Sequence, residues 1–290
     1  MEKINLKGYT EKILKENGLF AKKRLGQNFL IDGNILDNIV ESAHIDESDL
    51  IIEIGPGLGN LTEKLLKTKA KILAFEIDRD MVSILKNRFQ EHKNLELIEA
   101  DILKINLQEY IEKMGVARKC KIVANLPYYI TTPIIFKILE QNLNIERMII
   151  MVQKEVADRM VATPGGKEYG ILTLTLNYYG KVKKVFDVPN ISFLPPPNVT
   201  SSVVEIEIGK RYKIENEDRF FELVRSSFSQ RRKKVSNSLE NGKYMNMSKK
   251  EIETMLSNND ISLNARAEEI PIEKYIEMAN NSSSLNNSQK

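Results

Sequence analysis

The sequence predicts an α/β fold, a mostly parallel sheet with helices on both faces, followed by a small helical region toward the C-terminus. Three observations predict it. Short apolar runs near 50–54, 71–75, 95–99, 121–124 and 148–152 alternate with stretches of helical character, the pattern of parallel strands joined by helical crossovers. The first run enters a cluster of glycines, Gly55, Gly57 and Gly59, and a helical stretch follows from Leu61. After Ile208 the character changes: 209–216 is polar and charged and reads as a linker, and 217–280 reads as short helices.

Taken in order, the chain up to about Gly18 reads as an amphipathic helix carrying Ile4, Ile13 and Leu14. The five apolar runs follow as strands. The segment Tyr169 to Tyr179 admits two readings: Leu172, Leu174 and Leu176 alternate with Thr173 and Thr175 as in a strand, while its length also permits a helix. Lys184 to Pro189 and Val199 to Ile208 read as a strand pair closing the sheet, with Pro195-Pro-Pro197 stiffening the connection that presents Phe193. Phe220 to Leu223 and Tyr275 to Met278 mark helices, and the Ser/Asn-rich end is expected to be disordered. The domains expected are a large α/β domain over 1–208, a small helical domain over 209–280 and a tail over 281–290.

Residues 125–128 read Asn-Leu-Pro-Tyr, directly after the apolar run Lys121-Ile-Val-Ala. These groups suit an exocyclic amine better than a hydride or a phosphate. An adenine N6 amine is a weak nucleophile because its lone pair is delocalised into the ring, and its two N–H groups need acceptors. Asn125 can supply a side-chain carbonyl and Leu126 a main-chain one. Together they would turn the lone pair out of the ring plane, while Tyr128 offers a flat face to an extruded base. The same four residues also make an ordinary turn after a buried strand, with Pro127 fixing the backbone.

The glycines are spaced G-x-G-x-G rather than the G-x-G-x-x-G of dinucleotide proteins, and they let the backbone turn tightly against a ligand. The next strand, Lys71-Ile-Leu-Ala-Phe, ends in Glu76, about 20 residues past the glycines and well placed to accept from ribose hydroxyls. The strand Leu95-Glu-Leu-Ile-Glu-Ala ends in Asp101, whose carboxylate can accept from an adenine amine. Either acid alone could be a solvated strand end or a helix cap; their register with the glycine loop and Asn125 argues for a shared ligand.

Four separated segments, Arg24-Leu-Gly-Gln-Asn-Phe-Leu30, Glu53-Ile-Gly-Pro-Gly-Leu-Gly59, Asn125-Leu-Pro-Tyr-Tyr-Ile-Thr-Thr-Pro133 and Phe193-Leu-Pro-Pro-Pro-Asn-Val-Thr-Ser-Ser-Val203, resemble the ribosomal RNA adenine dimethyltransferases, most closely the bacterial small-subunit (16S) branch. The resemblance spans about residues 20 to 235. It implies a class I, Rossmann-like methyltransferase fold and use of S-adenosylmethionine. Two methyl groups would go to N6 of each of two adjacent adenosines in the 3′-terminal hairpin of that RNA, within the immature small subunit. It further implies cofactor contacts at Asn28 and Leu30 in a loop folding over the cofactor, at Gly55 and Gly57, at Glu76 on the ribose, at Asp101 on the adenine and at Asn125 beside the methyl group. Asn125, Leu126 and Tyr128 would frame the target base, Phe193 would cover its other face, and Tyr169 to Tyr179 would be helical.

Composition agrees. At 290 residues with 42% hydrophobic content the chain can hold one large domain and a small one. Charge is uneven within a net +3: residues 1–30 carry seven Lys/Arg against three Glu, residues 210–248 carry ten against five acids, and the remainder is acidic. Basic flanks suit a phosphate backbone, which makes Lys22, Lys23, Arg24, Arg231, Arg232, Lys233 and Lys234 candidate RNA contacts; otherwise they are solvated faces.

One cysteine, Cys120, allows no internal disulfide and points to a reducing compartment. With only His44 and His92 beside it, neither a zinc constellation nor a Ser-His-Asp hydrolase is supported, and no metal is expected. No run approaches the roughly 18 apolar residues of a membrane span, so a cytoplasmic protein without a membrane partner is expected; a monomer with no DNA partner is expected as well. Two rivals stay open: a resistance methyltransferase acting on large-subunit (23S) RNA, and a non-catalytic RNA-binding assembly factor. The run Lys23-Arg-Leu-Gly-Gln-Asn-Phe disfavours the first, and intact Glu76, Asp101 and Asn125 disfavour the second. A dehydrogenase is more distant, lacking both the glycine spacing and a hydride-transfer acid.

Overall fold

The structure, a computed structural model, describes residues 5–115, 119–244 and 247–287. In chain order its elements are α1 (Leu6–Glu16), β1 (Phe29–Leu30), α2 (Gly33–Ser42), β2 (Leu50–Ile54), α3 (Asn60–Leu66), β3 (Lys71–Glu76), α4 (Arg79–Arg88), β4 (Leu95–Glu99), α5 (Leu107–Lys113), β5 (Cys120–Asn125), α6 (Thr131–Glu140), β6 (Ile145–Gln153), α7 (Lys154–Met160), α8 (Ile171–Tyr179), β7 (Gly180–Val188), β8 (Phe193–Leu194), β9 (Ser201–Ile208), α9 (Glu217–Ser227), α10 (Val235–Glu240), α11 (Lys249–Asn258) and α12 (Ile272–Asn287).

Seven strands form one sheet in the order β4-β3-β2-β5-β6-β9-β7. The first five run parallel, and β9 returns antiparallel to β6. All five residues of β2 are buried, as a central parallel strand covered on both faces must be. This is the Rossmann-like sheet the sequence predicts. Separately, β1 pairs antiparallel with β8, matching Leu30 with Phe193. The strands exceed their apolar cores where polar residues find partners. β6 starts at Ile145, before the apolar run, because Arg147 pairs with Glu205 on β9.

The chain divides into two compact units, Met1–Ala157 with Lys183–Ile208, and Asp158–Val182 with Gly209–Lys290. This departs from the expected catalytic domain over 1–208. Residues 158–182 belong with the helical unit, where Tyr169, Leu174 and Tyr178 share a core with Phe220, Leu223, Val224 and Tyr275. α8 is a helix despite its alternating pattern because both of its residue sets are buried. Leu172, Leu174 and Leu176 are buried, and so are Thr173 and Thr175, with the Thr173 hydroxyl donating to the Arg159 carbonyl at 2.6 Å. The tail also differs from expectation, since α12 continues to Asn287; the remaining expectation of disorder, for 288–290, lies outside the described residues.

The glycine loop between β2 and α3 needs backbone that other residues rarely adopt. Gly55, Gly57 and Gly59 have φ of +67°, +58° and +83°. At Gly59 a Cβ would lie 2.6 Å from the Phe89 ring and 2.7 Å from Leu85. Gly59→Ala should therefore cost about 1 to 3 kcal/mol from backbone strain and overpacking together. Urea unfolding checks this, and an unchanged midpoint would contradict the strain.

Candidate active site

The sheet order lines up four strand ends that the sequence scatters over 70 residues. Asp101 follows β4, Glu76 ends β3, the glycine loop follows β2 and Asn125 ends β5, and those strands are neighbours in that order at the carboxyl edge of the parallel sheet. Open parallel sheets bind ligands at this edge. A cleft of about 1090 Å³, its open mouth included, lies here. Among its lining residues are Asn28, Leu30, Glu53, Gly55, Gly57, Glu76, Asp101, Asn125, Leu126 and Tyr128.

Each acceptor is held by its surroundings. Glu76 is buried, with Oε2 accepting from the Gly57 N–H and Oε1 from the Ile77 and Asp78 N–H groups, each at 2.9 Å. Burial raises its carboxyl above the usual range, and the three backbone donors oppose that. The strand-end acid thus already braces the glycine loop. Asp101 accepts from the Leu103 N–H at 3.1 Å, and Lys104 lies 3.6 Å away. A Cβ on Gly55 would meet nothing within 4 Å and would project into the cleft.

Asn125 donates its side-chain N–H to the Asn28 carbonyl at 3.3 Å. That bond turns the Nδ2 end of the amide toward the Asn28 carbonyl. Leu126 is buried and its N–H donates to the Met151 carbonyl at 3.1 Å, tying the turn to β6. The Tyr128 hydroxyl hydrogen-bonds the Ser201 hydroxyl, and burial raises its pKa, so the ring stays neutral. Sequence reasoning missed Ser201, although it stands in the segment that carried the resemblance.

The N-terminal segment is fastened over the same edge. The Lys22 ammonium sits 2.6 Å from Asp78 and 2.6 Å from Asp80, while Gln27 donates to Asp78 at 2.7 Å and accepts from the Lys22 N–H at 2.8 Å. Hydrogen bonding to Asp78 first, then Asp80, raises the Lys22 pKa. Burial works against ionisation of Asp78, but Lys22 and Gln27 outweigh it and hold the carboxyl below its usual range. No sequence pattern marks this clasp, because its members lie over 50 residues apart.

Several expected roles change. Lys22 is an internal ion-pair partner rather than a free phosphate contact, because two carboxylates at the start of α4 reach it first. Arg24 is exposed, and the Lys23 side chain lies outside the described residues. Phe193 is 2% exposed in the core with Leu30, Val123, Met151 and Val203 and does not line the cleft, since pairing of β8 with β1 turns its ring inward. In the helical unit Arg231 donates to the Lys167 and Tyr169 carbonyls, and Lys234 to the Asn264 side chain at 2.5 Å. Arg232 and Lys233 are exposed. Among the described residues no group of three or more His, Cys, Asp or Glu could hold a metal ion, and no helix is long and apolar enough to cross a membrane.

Known proteins share both the sequence and the fold. The family model described as ribosomal RNA adenine dimethylase matches residues 18–283. A protein of Alkaliphilus oremlandii named ribosomal RNA small subunit methyltransferase A is 42% identical over 283 residues, 97% of this chain and 98% of that protein. Its namesake in Clostridioides difficile is 41% identical, covering 97% of each. Among solved structures, a dimethyladenosine transferase from Plasmodium falciparum superposes with a TM-score of 0.72 at 32% identity, over 86% of this chain and 95% of that one. The 23S rRNA methyltransferase ErmE, at a TM-score of 0.65 and 23% identity over 87% and 98%, shares the fold.

Proposed function

The chain belongs to the ribosomal RNA adenine dimethylase family, and from that premise we propose that it dimethylates N6 of two adjacent adenosines in the 3′-terminal hairpin of 16S rRNA, in the immature small subunit, with S-adenosylmethionine as donor. The enzyme is an adenine methyltransferase; its relatives' name places the substrate in the small subunit. The observation that carries the reading is the row of Asp101, Glu76, the glycine loop and Asn125 along one sheet edge, opening into one cleft.

The residues present suit that donor. Asp101 would accept from its adenine amine and Glu76 from its ribose hydroxyls; the cleft in front of Gly55 is clear of side chains. When bound, the donor supplies an electrophilic methyl carbon on a sulfonium. Asn125 Oδ1 and the Leu126 carbonyl would accept the two N–H groups of the target amine and so aim its lone pair at that carbon. The Tyr128 ring, fixed by Ser201, would carry the base against its face. The proton lost from nitrogen leaves to solvent, and these acceptors stabilise the amine as it gains positive charge. Methylation of immature small subunits, set against naked 16S RNA and large-subunit RNA, tests the substrate; preference for large-subunit RNA would overturn it.

In the helical unit we assign backbone-phosphate binding to Arg232 and Lys233, since the other two exposed members of the basic run, Arg231 and Lys234, hydrogen-bond within the unit. Replacing both with Gln should weaken subunit binding and lower the slope of log affinity against log salt by roughly 0.7 to 0.9 for each phosphate that the side chains no longer neutralise. Cofactor affinity should stay unchanged. An unaltered slope in filter binding at several salt concentrations would leave the pair a solvated face.

A further inference from the structure

Glu53 is the one acid in the cleft that the proposed mechanism leaves without a task. It sits on β2, two residues before Gly55, and is 1% exposed. Neither of its carboxyl oxygens has a hydrogen-bond partner, and the hydroxyl of Thr62, across on α3, has none either. An acid of this kind costs free energy that apolar packing would avoid, so its place beneath a ligand cleft calls for a charge that arrives later.

The sheet order, with the donor proposed above, points to that charge. β2 lies between β3, whose Glu76 is assigned the ribose, and β5, whose Asn125 is assigned the transferred methyl. A donor spanning those two residues would carry its sulfonium over the end of β2. We infer that Glu53 is the counter-charge of that sulfonium, neutral in the free enzyme and ionised when the donor binds, and so discriminates the donor from its demethylated product, whose sulfur is an uncharged thioether. This rests on the donor assigned above.

The surroundings agree. Burial pushes the Glu53 carboxyl up to about 8, and the negative charge of Glu76 acts in the same direction. No Lys, Arg or His is among the described lining residues; from β3 comes Glu76, after β4 Asp101, after β5 Tyr128. Arg88 of α4 is turned away, to Glu63 and the Leu58 carbonyl. On binding, the carboxyl O–H bond breaks, the proton passes to buffer and the carboxylate remains beside the cation.

Calorimetry tests this without reference to turnover. Titrating S-adenosylmethionine into the full-length enzyme at pH 7, in buffers of differing ionisation enthalpy, should show release of about 0.5 to 0.9 proton. Affinity should rise about tenfold per pH unit between pH 6 and 7.5 and level off above about 8. S-adenosylhomocysteine should release distinctly less. Glu53→Gln should abolish the release and flatten the pH curve, whereas a slope belonging to Glu76 would survive it. Buffer-independent heats in the wild type, equal release with both ligands, or release persisting in a folded Glu53→Gln would overturn the inference while leaving the donor assignment intact. Absence of any donor binding would overturn both. If Glu53→Gln fails to fold, as circular dichroism would report, the comparison of the two ligands in the wild type decides.

Discussion

Replacing Asn125 with alanine is expected to cut turnover by a factor of about 100 to 1000, roughly 2.7 to 4 kcal/mol, while cofactor affinity changes only a few-fold. Asn125 ends β5, and its Nδ2 donates to the Asn28 carbonyl at 3.3 Å; in the proposed reading its Oδ1 accepts from the target amine. An acceptor aimed at a developing positive nitrogen acts more strongly on the transition state than on the bound substrate, so its removal falls on the rate. The fold should survive, since the side chain is only half-buried and outside the apolar core. Single-turnover methylation of small subunits, alongside a thermal melt, reads both consequences. Near wild-type turnover would sink the assignment.

The strands of the parallel sheet were legible because burial on both faces leaves no alternative to an apolar run, as at Leu50–Ile54. What hid was whatever depends on pairing across the chain. The alternation of Leu172, Leu174 and Leu176 with Thr173 and Thr175 describes a strand only if one face meets solvent. In the helical unit neither face does, and the resemblance rather than the pattern pointed to a helix. The grouping of 158–182 with the C-terminal helices was hidden for a similar reason, since Tyr169 and Tyr178 pack against residues some 40 to 100 positions later.

In the site, legibility followed motif density. Asn28, Gly55, Glu76, Asp101, Asn125 and Tyr128 lie in stretches whose spacing constrains them, and all line one cleft. Phe193 shares such a stretch but lies in the core, because a motif fixes residue identity while strand pairing fixes which way the ring turns. Charge was the weakest guide. Lys22 and Arg231 belong to basic runs, yet one is bound by Asp78 and Asp80 and the other by the carbonyls of Lys167 and Tyr169. A run of like charge shows that cations are present, and only the fold shows which of them are engaged internally.

Glu76→Ala should have the second large effect and a different signature, weakening S-adenosylmethionine binding by about 30- to 300-fold, roughly 2 to 3.4 kcal/mol, with a smaller loss in methyl transfer at saturating cofactor. Ribose hydroxyls do not change during transfer, so hydrogen bonds to them lower the energy of ground and transition states alike. Part of the loss is indirect. Alanine leaves the N–H groups of Gly57, Ile77 and Asp78, each now 2.9 Å from a carboxylate oxygen, without that acceptor, and the glycine loop loses its brace to β3. Glu76→Gln separates the two contributions: its carbonyl keeps one acceptor for either the loop or the ribose, and its NH2 group can only donate. It should therefore fall between wild type and alanine in affinity. Calorimetric titration of all three proteins measures this order, and an alanine variant that binds the cofactor as tightly as wild type would refute the ribose contact.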